Sequence, residues 1–124
     1  MVQLKIEFFE TSDGKEPAKE FLLSLNVKMR AKMMRTITLL SLNGNELREP
    51  YSKHLGTGIF ELRAQIGTDI SRVLYFFVID QKVILSHGFI KKTQKTPVRE
   101  IERAERNRVE YMRRGDLYGR GYQL

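Results

Sequence analysis

A chain of 124 residues is long enough to bury one hydrophobic core and too short for two independent ones. Its 22 lysines and arginines against 15 aspartates and glutamates give a net charge of +7, which points to a polyanionic partner. The absence of cysteine excludes disulfide frameworks and thiolate metal sites and makes a reducing compartment acceptable.

Val2, Leu4, Ile6 and Phe8 alternate with Gln3, Lys5 and Glu7, the period of a half-buried strand rather than of an export signal, so the expected location is the cytoplasm. Ser12 and Asp13 are capping residues and Pro17 suits a first helical turn. A short helix should therefore turn Ala18, Phe21, Leu22 and Leu25 inward and break at Asn26. A second helix from about Val27 to Leu42 sets Met29, Met33, Ile37 and Leu40 on one stripe and stops at Asn43-Gly44, completing a hairpin. The stretch 45–58 mixes Gly, Pro, Asn and charge and reads as a loop. Phe60, Leu62, Ala64 and Ile66 then alternate with Glu61, Arg63 and Gln65, whereas Val73 to Ile79 is apolar on both faces, as in a central strand. That run is too short to span a bilayer as a helix, so no membrane association is expected. Asp80-Gln81-Lys82 turns the chain into a strand over Val83 to Ile90. Pro97 opens a last helix with Ile101, Ala104, Arg108 and Met112 inward, ended by Gly115. This order predicts an α+β fold: a small, largely antiparallel sheet of about four strands with an N-terminal helical hairpin and a C-terminal helix. It forms one domain over 1–114 with a short tail at 115–124.

Phosphate-cradling glycine loops, paired-histidine metal motifs and cysteine nucleophiles are missing from the sequence. His54 and His87 stand alone, so neither a metal site nor a cofactor is expected. Basic residues at strand ends remain. Arg63 points away from the Phe60 and Leu62 face, Arg72 opens the central strand, and Lys91, Lys92 and Lys95 follow the last one. Neighbouring strands lie about 5 Å apart, so these five can surround one phosphate, although a solvated strand edge accounts for them as well. Residues 91–124 carry 10 basic and 5 acidic groups, which is +5 of the total +7. The i, i+4 registers Glu102/Arg106 and Glu110/Arg114 read as a salt-bridged face rather than an RNA-binding stripe.

The stretches KHLGTGIFELR (53–63), SRVLYFF (71–77), HGFIKKTQKTP (87–97) and EIERAERNRVEY (100–111) resemble the phage-derived branch of the RelE/ParE superfamily, which includes HigB-type toxins. The resemblance implies a small curved sheet flanked by helices and a metal-independent endoribonuclease that cuts messenger RNA on the ribosome. It also implies a cognate antitoxin that silences the toxin in a hetero-oligomer. ParE-type gyrase poisons share the fold without the RNA chemistry, and a non-catalytic RNA- or ribosome-binding module is a third reading. By the same resemblance Arg63 and Arg72 match the family's strand arginines, and Arg72 is expected to contact the scissile phosphate. Lys91 and Lys92 occupy the second basic position and are candidate general bases, with Lys95 as a third basic residue. Lys53 and His54 lie in a loop that reaches RNA in such toxins. Ile59 and Glu61 stand where the RelE pattern has lysines. On the second helix Lys28, Lys32 and Arg35 are candidate anchors for an acidic antitoxin, or simply a solvated face.

Overall fold

A computed structural model describes residues 3–79, 81–91 and 95–118 of the chain. Strand β1 (Lys5–Phe8) leads into a turn in which Thr11 Oγ1 accepts from the Lys15 N–H at 3.0 Å and also bonds Asp13. Ser12 and Asp13 therefore shape a turn rather than capping a helix. Helix α1 (Pro17–Ser24) begins at Pro17 without a side-chain cap. Asn26 closes α1 and caps α2 (Val27–Asn43), its side-chain oxygen accepting from the Met29 N–H at 2.9 Å. Arg30 completes the hairpin, donating 3.0 Å bonds to the carbonyls of Leu22, Leu23 and Leu25 at the end of α1. Gly44, at φ +58°, stops α2 in the left-handed region that glycine tolerates.

The remaining strands are β2 (Ser52–His54), β3 (Phe60–Ile66), β4 (Asp69–Val78) and β5 (Lys82–Lys91). The sheet has five strands in the order β1-β5-β4-β3-β2, with β1 parallel to β5 and the other pairings antiparallel. It is thus larger and more mixed than the four-stranded sheet expected. The additional strand, β2, lies inside the stretch read as loop. With only three residues it has no detectable alternation, yet it pairs with β3 and is tied down by a 2.6 Å hydrogen bond between the Ser52 and Tyr75 hydroxyls. The apolar run at β4 does occupy the centre of the sheet.

Two cores flank the sheet. Leu62, Ala64, Val73, Tyr75, Val83 and Leu85 face the α1–α2 hairpin, and Leu74, Phe76 and Ile84 face α3 (Val98–Tyr118) through Ala104 and Tyr111. The sequence His87-Gly88-Phe89 serves both sides. Gly88 lies beneath Phe21 of α1, where an added Cβ would come within 2.2 Å of the ring, while His87 is bonded to α3. Gly115 does not end α3, contrary to expectation: it is buried inside the helix, which runs on to Tyr118. The turn just before it is held by Arg114, which bonds Glu110 at 2.8 Å and lies 5.2 Å over the Phe9 ring. Such anchoring outweighs the roughly 1 kcal/mol that glycine costs in a helix. Among the described residues no helix is long and apolar enough to cross a membrane.

Candidate functional site

Arg63 on β3 and Arg72 on β4 are directly opposite in the sheet register, an arrangement of like charges that is destabilising by itself. Glu61, two residues before Arg63 and so on the same face, resolves it. One of its carboxylate oxygens accepts from Arg63 Nε at 2.5 Å, and the other lies 3.7 Å from Arg72 Nη1. Thr96, just before α3, donates its hydroxyl to Glu61 and accepts from Arg72 Nη1 at 3.4 Å. Glu61 and Arg72 are both 0% exposed, whereas the Arg63 side chain is 16% exposed. Burial lowers the Arg72 pKa, Glu61 opposes that shift and Arg63 adds to it; the guanidinium stays charged throughout.

Beside this cluster lies a groove of about 500 Å³ lined by Glu49, Lys53, His54, Leu55, Arg63, Lys95, Thr96 and Ile101. It brings together four of the expected residues from three separate segments: Lys53 and His54 from β2, Arg63 from β3, and Lys95 from the approach to α3. Lys53, Arg63 and Lys95 give the groove three cations against the single carboxylate of Glu49. His54 sits at the rim, with its ring stacked on Phe60 at 4.5 Å. Phe60 belongs to the core beneath the hairpin, so the imidazole is turned from the arginine cluster. Arg72, expected to touch a scissile phosphate, is instead enclosed beneath the groove and engaged by Glu61 and Thr96. Lys91 pairs through its backbone with Ile70 at the end of β5; its side chain and all of Lys92 lie outside the described residues. Lys28, Lys32 and Arg35 are exposed on α2, away from this groove, and Lys32 Nζ donates to the Gln65 carbonyl at 2.5 Å.

A second polar cluster joins β5 to α3. Asn107 donates to Ser86 Oγ at 2.8 Å, which leaves the Ser86 hydroxyl to donate to His87 Nδ1 at 2.9 Å, and His87 Nε2–H then faces Glu100 at 3.0 Å. Burial holds the His87 pKa down to about 4, helped by the charge of Arg103 and opposed by the bond to Glu100. The serine, histidine and carboxylate suggest a nucleophilic triad, but Ser86 is 0% and His87 1% exposed. Their arrangement fastens a helix to the sheet. Tyr75 is likewise no proton acceptor for the groove: it is buried on the hairpin side and its hydroxyl is pushed up to about 12.

In the sequence Glu61 stands out only as a departure from the RelE pattern, not as a site residue, and Thr96 does not stand out at all. The i, i+2 spacing of Glu61 and Arg63 was a signal for the first; Thr96 gave none, because its contacts are 24 and 35 residues away. Among the described residues no group of three or more His, Cys, Asp or Glu is placed to hold a metal ion.

The sequence model of the family described as phage derived protein Gp49-like (DUF891) matches residues 20–109, a span that takes in β2 to β5 and the cationic groove. No curated protein matches the chain.

Proposed function

The chain belongs to the phage-derived Gp49-like family, and from that premise we propose that it is the toxin of a toxin–antitoxin pair, an endoribonuclease that cuts messenger RNA on the ribosome. The observation that carries this reading is the convergence of Lys53, Arg63 and Lys95 on one groove. A polyanion running through it meets two ammonium groups and one guanidinium bonded to a buried carboxylate.

The reaction that suits this set of residues takes its nucleophile from the RNA. The 2′-hydroxyl attacks the adjacent phosphorus, the P–O5′ bond breaks, and the products are a 2′,3′-cyclic phosphate and a 5′-hydroxyl end. Arg63, its Nε held by Glu61, lines the groove, where its positive charge opposes the negative charge developing on the phosphate. Lys53 and Lys95 fix the flanking backbone. Arg72 acts from below by holding Glu61 in place. The proton leaving the 2′-hydroxyl goes to a neutral lysine, a role proposed for Lys91 or Lys92, and the departing O5′ takes up a proton from water to give the 5′-hydroxyl. A cognate antitoxin with an acidic segment silences the toxin by covering the groove or docking on Lys28, Lys32 and Arg35.

Induction in growing cells with transcript 5′-end mapping tests this reading. New ends inside translated frames support it. DNA-break signalling without new ends would replace it with a gyrase-directed activity.

A further inference from the structure

We infer that the RNA track continues past Arg63 onto α2, and that Tyr51 is an aromatic platform on which an unpaired base stacks. This rests on the reading of the groove as an RNA site. A second depression, of about 690 Å³, shares Arg63 with the first and is lined also by Lys32, Tyr51 and Gln65. A third, of about 490 Å³, shares Lys32 and Tyr51 with the second and adds Arg35. Through these shared residues the three depressions adjoin one another, with five cations, Lys53, Lys95, Arg63, Lys32 and Arg35, against the carboxylate of Glu49, which lines the first two, and with Tyr51 between the α2 cations and Arg63.

Tyr51 is 45% exposed, yet its backbone is fixed: its carbonyl accepts from the Arg63 N–H at 2.9 Å and its own N–H donates to the Arg48 carbonyl at 3.0 Å. An aromatic residue whose backbone is so anchored, beside a guanidinium that can bind a phosphate and with Lys32 near it, combines the two elements that hold single strands: an electrostatic groove and a stacking surface. Duplex RNA keeps its bases stacked inside and offers no base face to Tyr51, so the ligand class is single-stranded RNA. Two of the three α2 cations expected to anchor an antitoxin, Lys32 and Arg35, thereby become part of the substrate path.

The test uses the full chain and a short fluorescent single-stranded oligoribonucleotide whose 2′-O-methyl groups block cleavage. Tyr51→Leu keeps an apolar side chain but removes the π face, and is expected to weaken binding about tenfold or more. Tyr51→Trp is expected to bind at least as tightly as the wild type. Lys32→Ala with Arg35→Ala should flatten the salt dependence of binding. Thermal melts of each variant separate loss of binding from loss of fold. If Tyr51→Leu and the α2 variant bind like wild type while Lys53→Ala with Lys95→Ala does not, the extended track is overturned and the groove reading stands. If none of these variants binds differently, or the wild type does not hold the oligonucleotide, both fall.

Discussion

Glu61 stands between Arg63 and Arg72, one carboxylate oxygen on each, at 2.5 and 3.7 Å. The cross-strand arginine pair is tolerable because of that carboxylate, and the same contact fixes Arg63, which lines the groove. Removing the carboxylate while leaving both guanidinium groups in place takes from the buried Arg72 the counter-charge of Glu61. Glu61→Ala is expected to lower stability by about 3–5 kcal/mol, read by urea denaturation. A midpoint equal to that of the wild type would show that Arg72 has another counter-charge.

Arg63 and Arg72 should separate in their effects although they are neighbours. Arg63→Ala removes one charged hydrogen bond from Glu61 but also the like charge opposite Arg72, and leaves Glu61 paired with Arg72 and Thr96, so stability should fall by no more than about 1–3 kcal/mol. RNA cleavage should fall by about 10²-fold or more, as when one charge-stabilising donor is lost. Arg72→Ala buries Glu61 without its second partner and should cost fold stability as well as activity. Equal melting temperatures for the Arg72→Ala and wild-type proteins would contradict the enclosed position of Arg72.

Gly88 offers a test of the packing that sets the register of β5. A Cβ there would come within 2.2 Å of Phe21 Cδ2, so Gly88→Ala should destabilise by about 1–3 kcal/mol. Phe21→Ala in the same chain removes the clash, and the two substitutions should be non-additive, the double variant losing less than the sum. Strict additivity would mean that the two side chains do not meet.

His87 makes a pH prediction. Its folded pKa of about 4 lies below the ordinary value of 6.5 because burial and the charge of Arg103 disfavour the cation. Between those values the unfolded chain binds the proton and the folded chain does not, so stability is complete above pH 6.5 and is lost as pH falls towards 4. The slope from this residue is at most about 1.4 kcal/mol per pH unit. Denaturation across that window should show it, and His87→Gln, which cannot titrate, should flatten the curve. An unchanged slope in the variant would assign the acid sensitivity to other groups.

Periodicity was enough to locate the elements whose side chains alternate or recur over several turns: β3, β4 and the α1–α2 hairpin all emerge from apolar spacing. It was not enough for β2, whose three residues are set by pairing to β3, or for the parallel placement of β1 beside β5, which depends on contacts almost 80 positions apart. The site divides in the same way. Cations at strand ends were visible as candidates, and Lys53, Arg63 and Lys95 do meet. The burial of Arg72 was not visible, because it depends on Thr96 closing over it from another segment and on Glu61 accepting its charge.

Whether the groove of Lys53, Arg63 and Lys95 cuts messenger RNA is decided in a translating extract with end-labelled transcript. The wild type is compared with a chain carrying Lys53→Ala, Arg63→Ala and Lys95→Ala whose fold is verified by its melting curve. Discrete cuts in the translated frame, ending in 2′,3′-cyclic phosphate, are expected with the wild type and are expected to be lost with the triple variant. Intact transcript with the wild type, or the same cuts with the variant, would contradict that role for the groove.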